Sequence, residues 1–493
     1  MKFLKLFIAI MAALLLAGCS SAEEGTVYQS VEDIRTARIG LILGTTHDAF
    51  ATASFTDAQI IRIESEPDLF IAIQKDKCDV IFADFTSFVY AQREYPNLVE
   101  IESDFPADFY GMGFNKSDTA LRDSFNIFLK EIKENGIYDQ IYDRWILNGM
   151  ESSMPEIDLP AEGKSLRVAI PGTQFPFSFY LEQELVGFDI EIILRFAAAI
   201  GRPVEFQSIN FGSLIASVQT RKADVISAAM SITEERSRNI AFSDPYFETR
   251  TVVATIDKSI ANGTEDGNQG FFEGVKNSFV SNIIHENRYM LILEGLKTTI
   301  IISIFSILLG TLLGALVCWM KMNRRKWLSG IADIYISVMR GTPVLVLLML
   351  MFYVFLAKVN INGVYVAVIT FALNFAAYVS EMFRTAIQSV DRGQTEAGIA
   401  LGFSPFQTFV NIIMPQAVQK VLPVYKGEMI SLIKTTSIVG YIAVEDLTKV
   451  SDIIRSRTFD AFFPLLMVAI MYFILSWIFA KALDLLNTKK ARS

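Results

Sequence analysis

The sequence predicts two unlike parts in one chain: a two-lobed α/β domain, then an all-α polytopic membrane domain with about five transmembrane helices. Three observations carry this expectation. Hydropathy splits near Met290, with ordinary globular sequence before it and long uncharged apolar runs after it. A stretch of the N-terminal part recurs 145 residues later. Each copy reads as a helix followed by a buried strand, the pattern of a parallel α/β sheet. At 493 residues the chain has room for two or three cores. Its 52% hydrophobic content and mean hydropathy of +0.37 are high for a soluble protein. A net charge of −9 with pI near 5.1 argues against nucleic acid, which asks for clustered Lys and Arg. Three Cys and two His leave little for a metal site, a disulfide framework or His-based catalysis. No metal site and no catalytic residue is expected.

Residues 1–18 read as an export signal: Lys2 and Lys5, then an apolar stretch over 6–16 that is too short to span. Leu16-Ala-Gly-Cys19 resembles a lipobox, which would leave Cys19 as a lipidated N-terminus of the mature chain.

The repeat aligns Asp68-Leu-Phe-Ile-Ala-Ile-Gln-Lys-Asp-Lys-Cys-Asp-Val-Ile-Phe-Ala83 with Ser213-Leu-Ile-Ala-Ser-Val-Gln-Thr-Arg-Lys-Ala-Asp-Val-Ile-Ser-Ala228, identical at seven of 16 positions. Two such lobes predict a cleft, with ligand at the carboxyl ends of the strands. Asp84 ends the first strand and Ala229-Met-Ser231 follows the second. Ser231-Ile-Thr-Glu234 is a capping-box pattern that opens a helix, a place where free amides attract anions. Arg236 falls in that first turn, where a cation opposes the helix dipole. Charge logic leaves two readings open, a bound carboxylate or a solvated Arg.

Val168-Ala-Ile-Pro-Gly-Thr-Gln-Phe-Pro-Phe-Ser-Phe179, Val186-Gly-Phe-Asp-Ile-Glu191, Met230-Ser-Ile-Thr-Glu-Glu-Arg236 and Phe242-Ser-Asp-Pro-Tyr246 resemble the first lobe of type II periplasmic amino-acid-binding proteins. Ser30-Val-Glu-Asp-Ile34, Ile39-Gly-Leu-Ile-Leu-Gly-Thr45, Asp79-Val-Ile-Phe-Ala-Asp84 and Tyr110-Gly-Met-Gly-Phe114 resemble the second lobe, which here comes earlier. Asn135-Gly-Ile-Tyr-Asp-Gln-Ile-Tyr-Asp-Arg-Trp145 resembles the family's last helices. The resemblance implies a circular permutation. Residues 19–148 are the second lobe and C-terminal part, 149–164 a permutation linker, 165–256 the first lobe, and 257–285 a linker to the membrane. Segments 110–114 and 251–255 are the expected crossings between lobes. The family's contacts carry over to Arg236 and Ser231 for an α-carboxylate and to Asp84 for an α-ammonium. Phe211, Ala229, Gln174, Phe175 and Thr46 join them as pocket residues. Pro171 stands where many members carry an Asp, and Ile42 and Ala83 replace polar positions. The expected ligand is therefore a neutral amino acid, with Gln174 as its reader.

Residues 298–320 carry no charge over 23 positions, enough to span. Further candidate spans are 331–357, 363–385, 426–444 and 461–480, the fourth interrupted by Glu428 and Lys434. Five spans from an exported start put Lys321, Arg324, Arg325 and Lys326, and also Lys489, Lys490 and Arg492, inside. Glu294-Gly-Leu-Lys-Thr-Thr299, Arg340-Gly-Thr-Pro-Val-Leu345 and Asn374-Phe-Ala-Ala-Tyr-Val-Ser-Glu381 resemble permeases of polar amino-acid ABC importers, over 286–493. Glu396-Ala-Gly-Ile-Ala-Leu-Gly402 followed by Ile412-Ile-Met-Pro415 matches their coupling motif, with Gly398 and Met414 as departures. Glu396, Ala397, Gly398, Gly402 and Pro415 are its candidate residues: a short helix, a break at Gly402, and a second helix stopped before Pro415. Asn374, Glu381 and Arg384 are candidates for the membrane path, the charged two also able to pair with each other at i, i+3.

The chain has no Gly-x-x-x-x-Gly-Lys-[Ser/Thr], so it binds no ATP through a P-loop. The resemblance implies ATP and Mg on a separate ABC ATPase subunit, a second permease, either another copy as homodimer partner or a similar chain, and an amino-acid ligand. It places the chain in the plasma (inner) membrane, with the cleft outside and the coupling loop in the cytoplasm. A ligand-gated channel of glutamate-receptor type shares the two-lobed fold, but the coupling loop and the lack of a re-entrant filter argue against it. An enzyme with a similar sensor lobe would need a catalytic carboxylate domain that the sequence lacks.

Overall fold

The computed structural model describes residues 28–490 apart from 29, 150–151, 182, 261–270, 358, 360, 459 and 461. The export signal and Cys19 lie outside the described residues, as does the middle of the 257–285 linker. The strands are β1 (Arg38–Ile42), β2 (Gln59–Ile63), β3 (Val80–Asp84), β4 (Leu98–Ile101), β5 (Ala107–Tyr110), β6 (Gly113–Phe114), β7 (Leu166–Ile170), β8 (Phe179–Leu181), β9 (Glu184–Val186), β10 (Val204–Ser208), β11 (Val225–Ile226), β12 (Ala241–Phe242) and β13 (Phe247–Ile256).

Two sheets organise the N-terminal part, in the orders β2-β1-β3-β13-β4 and β10-β7-β11-β6-β12. The orders are equivalent, and the two repeat copies supply the same central strand in each, β3 and β11. The repeated Lys-x-Asp turns have equivalent partners too. Asp79 binds Arg38 at the start of β1, and Asp224 binds Arg167 near the start of β7 at 2.7 Å. Each Asp also accepts the backbone N–H of its Arg, which fixes the edge of the parallel pair.

In each sheet one strand runs antiparallel and comes from the far side of the other lobe's sequence. β6, early in the chain, pairs with β11 and β12. β13, late in the chain, pairs with β3 and β4 and, through its first half, with β5. The chain therefore crosses twice between lobes, at 110–114 and along β13, which matches both expected crossings. Helices Thr119–Glu134 and Ile137–Tyr142 follow β6 and pack with the β7 lobe, where Phe125, Phe128 and Trp145 share a core with Val168 and Phe196. A buried carboxylate ties these segments together: Glu191, fully buried, receives Arg144 at 2.7 Å, Arg195 at 2.8 Å and the Trp145 indole N–H at 2.7 Å.

The C-terminal part is helical, and two of the five expected spans are not single long apolar helices. Three helices are long and apolar enough to cross: Tyr289–Met322, Gly363–Gln388 and Phe462–Asp484. The candidate at 331–357 is a pair, Lys326–Gly341 and Val344–Phe355, bent by 106°. Counting that pair as one span gives four. The break falls at Thr342-Pro343, because Pro lacks an N–H and restricts the residue before it. The candidate at 426–444 is the end of helix Met414–Thr435 and a 3₁₀ stretch, Thr436–Ile442, and it carries Lys426, Glu428 and Lys434. Both lobes rest on this part. Lys222 donates to the carbonyls of Leu356 and Val359, and Tyr180 donates to Glu445 at 2.6 Å. From the other lobe, Asp68 receives Arg455 at 2.7 Å and Glu64 receives Tyr441 at 2.8 Å.

Candidate functional site

The cleft between the lobes is built from strand ends and the turns that follow them. Its lining brings together Thr46, Asp84, Gln174, Phe211, Ala229, Ser231 and Arg236, seven of the eight expected pocket residues, with Ile42 and Ala83 beside them. The eighth, Phe175, is elsewhere. Its ring stacks on Tyr90 at 3.6 Å and packs into the β7-lobe core, so it joins the lobes outside the ligand space.

Asp84 stands at the end of β3 and Arg236 in the helix Glu234–Ser237 of the opposite lobe. The Arg236 guanidinium is buried and donates to the Ser231 carbonyl at 2.9 Å and, across the cleft, to the Gly44 carbonyl at 3.1 Å. It lies over the Phe211 ring, 5.6 Å from the centroid. Burial pulls its pKa down, while Asp108 and Asp84 hold it up. The Asp84 carboxyl is pushed up by burial, with His47 the first of the groups that oppose this. His47, buried, sits 3.9 Å from Asp84 and hydrogen-bonds Thr251 at 3.1 Å. A fixed cation and a fixed carboxylate thus line one cleft from two lobes, an arrangement that fits the two ends of a zwitterion.

Two local expectations change. Ser231 does not cap the helix. Thr233 is the N-cap and accepts the Arg236 N–H, whereas the Ser231 hydroxyl donates to Asp108 at 2.6 Å. The helix is also only four residues long, so the guanidinium is the main anion group. Ala229 contributes backbone: at φ +42° its N–H donates to the buried Asp189, which Ser227 and Tyr246 also hold. Glu66 and His47, which no motif marks, also line the cleft. Their signal was position: each stands one or two residues past the turn that ends a strand.

In the helical part, Glu396, Ala397 and Gly398 lie on the helix Arg392–Ala400. Gly402, at φ +89°, makes the break, and Ser404 caps the helix Pro405–Thr408. Gly398 is a packing requirement, since a Cβ there would meet Thr408 Cγ2 at 2.6 Å. Pro415 does not stop the second helix. Helical winding continues through a π turn, Phe409–Ile413, into Met414–Thr435. The wider turn accommodates a residue that cannot donate. The hairpin presents an apolar face, with Leu401 and Phe406 each 76% exposed.

Asn374 lines a polar cavity with Arg340, Thr342, Tyr378, Glu428 and Ser431, and donates to the Met339 carbonyl at 2.8 Å. Glu381 and Arg384 are not on it. They pair with each other at 2.7 Å, and Glu381 also takes Lys321 at 2.9 Å, which ties two helices.

Residues 299–492 match the family described as binding-protein-dependent transport system inner membrane component. A permease named for glutamine transport, GlnP of Rickettsia typhi, is 36% identical over 190 residues, 38% of this chain and 87% of that one. The arginine transport system permease protein ArtQ of Bacillus subtilis is 34% identical over 37% of this chain and 85% of its own. A crystal structure of an amino acid ABC transporter with histidines shares 34% identity over 45% of this chain and 99% of that chain, at a TM-score of 0.39.

Proposed function

The chain belongs to the permease family of amino-acid ABC importers, and from that premise we propose that it is a fused subunit which captures an amino acid in its own N-terminal cleft and passes it to its own membrane domain. As a permease component it is not an enzyme. The reading of the N-terminal part as a circularly permuted type II binding domain draws support from the two equivalent sheet orders with exchanged antiparallel strands. The observation that carries the function is the cleft itself, where Arg236 and Asp84 come from opposite lobes. One lobe alone would leave one charge of a buried zwitterion unpaired. The ligand's carboxylate goes to Arg236 and its ammonium to Asp84, and closure brings the lobes together around it.

Energy comes from ATP and Mg bound to a separate ATPase subunit. That partner docks on the hairpin around Gly402, whose exposed Leu401 and Phe406 suit a groove on a soluble protein. A second copy of the chain completes the pathway. The hairpin faces the cytoplasm of the plasma (inner) membrane and the cleft faces outside, an orientation that the basic cluster at 321–326 favours. Cys19 serves as a lipid anchor. The polar cavity around Asn374 lies on the substrate path.

Uptake of labelled amino acids into proteoliposomes, with and without the ATPase subunit and internal ATP, tests this reading. Accumulation should require both. An ion current gated by amino acid with no ATPase present would overturn it.

A further inference from the structure

The cleft holds one more charged group than an amino-acid backbone uses. Glu66 is the first residue of the helix Glu66–Gln74, capped by Ser65, and its carboxyl lines the same space as Asp84, Arg236 and Gln174. Among the described residues no Lys, Arg or His lies within ion-pair distance of it. The Ser87 hydroxyl is its hydrogen-bond partner, and the nearby Asp84 charge repels it. His47 is already placed against Asp84 and Thr251. Arg236 donates to two backbone carbonyls and is the group assigned above to the α-carboxylate.

The charges can be counted. Arg236 and Asp84 balance a zwitterion, and Glu66 is left over. A neutral side chain leaves Glu66 protonated and gains nothing from its charge, an acidic one adds repulsion if either group ionises, and a cationic one lets it ionise and pair. A cation completes the set. A second acceptor points the same way: the Gln174 amide oxygen, from the opposite lobe, is buried without a hydrogen-bond partner. A carboxylate and a free carbonyl on two walls of one cleft suit a group that carries several N–H donors. The expectation of a neutral ligand rested on Pro171, Ile42 and Ala83, and Glu66 removes its ground.

We propose that Glu66 reads the ligand's side chain and that the cleft selects α-amino acids with a cationic side chain, a guanidinium or a primary ammonium. The proposal rests on the reading of the cleft as an amino-acid site.

Calorimetry on the full chain in lipid nanodiscs tests it, with L-arginine, L-lysine, L-glutamine and L-glutamate as probes. Wild type should bind arginine or lysine at least ~10-fold more tightly than glutamine, the ion pair formed with Glu66 outweighing the loss of its proton. Glu66→Gln should remove that preference, weakening the cationic ligand about 10²–10³-fold while glutamine affinity moves only a few-fold. The wild-type ranking needs no variant, so a misfolded Glu66→Gln would not rescue the idea. Glutamine or glutamate as the tightest ligand, or unchanged arginine affinity in a folded Glu66→Gln, overturns Glu66 as reader and leaves the amino-acid site standing. Failure of wild type to bind any of the four removes the site itself, and this proposal with it.

Discussion

Arg236→Ala removes the group that ties the two lobes and the ligand into one unit. Arg236 is 9% exposed and its guanidinium spans the cleft, with the Ser231 carbonyl on its own lobe and the Gly44 carbonyl on the other. Its loss leaves a ligand carboxylate buried with no cation in reach. Breaking a buried charge pair in this way costs about 3–5 kcal/mol, which is about 10²- to 10⁴-fold in Kd. Arg236→Lys separates charge from geometry: an ammonium restores the cation but cannot hold a carboxylate and two carbonyls with a planar fork, so its loss should be smaller yet clear. Asp84→Asn should match Arg236→Ala in order of magnitude, from the ammonium end. Calorimetry on the full chain gives the affinities, and thermal unfolding without ligand reports whether each variant is folded. Near-native affinity in a folded Arg236→Ala would refute the zwitterion clamp and return Arg236 to a role in joining the lobes.

One amino acid should bind per chain, because Asp84 and Arg236 lie in different repeat copies; a calorimetric stoichiometry of two would mean two tandem receptors. Leu401→Asp or Phe406→Asp should leave ligand binding intact and abolish ATP-driven uptake, since both side chains are exposed on the hairpin and neither is packed in the core; normal transport by both variants would leave the hairpin a purely structural loop. Glu191→Ala should destabilise the cleft domain by about 3 kcal/mol, because it strands Arg144 and Arg195 and unpairs the Trp145 indole, read as a lowered Tm with no change in ligand selectivity. Binding of arginine at pH 7 should release a proton. Burial pushes Glu66 up to about 8 in the empty cleft, with Asp84 adding to the rise and the Ser87 hydroxyl opposing it. A cation there favours the ionised form, so apparent affinity should rise with pH up to about 8 and then level, with His47, Asp108 and Arg236 as the other ionisable or charged groups around the site. Calorimetry in buffers of different ionisation enthalpy counts the proton, and no release, or affinity falling with pH, would contradict a cation on Glu66.

What the sequence disclosed depended on how local each feature is. The repeat was legible because a helix, a Lys-x-Asp turn and a buried strand occupy consecutive residues, and β3 and β11 do sit in equivalent places. The Arg partners of Asp79 and Asp224 were not, since Arg38 and Arg167 reach those turns only after the sheets form. The clamp residues were found by resemblance, whereas Glu66 matched no motif and enters the cleft only through the fold. Ser231 shows the limit of a cap read from residue type: Thr233, two positions on, has the better reach to the Arg236 N–H. Phe175 failed as a pocket residue because an aromatic beside a turn can face either way, and here Tyr90 offered a flat surface. The second candidate span shows a similar limit. An uncharged run fixes where apolar residues are, but Thr342-Pro343 decides whether they lie on one axis, and that pair turns the chain by 106°.

The order of the chain also decides how the cleft is joined to the membrane. β13 leaves the β7 lobe at Phe247, where it pairs with Tyr110 of β5, and ends at Ile256 between β3 and β4. The strand that crosses between the lobes is thus also the strand from which the chain departs toward the helix Phe271–Phe279. A tether at a peripheral terminus would hold the domain by an edge. Here it is continuous with the central antiparallel strand of the β1 lobe, and Thr251 on that strand pairs in register with Asp84 and bonds His47. The same lobe carries the helix Glu66–Gln74, with Glu66 in the cleft and Asp68, two residues on, bound to Arg455 of the membrane part. Covalent tether and ion pair both anchor the β1 lobe, while the β7 lobe is held by the Tyr180 and Lys222 hydrogen bonds. Both lobes are thus held on the membrane part, and the β7 lobe is the one that brings Arg236 to the ligand.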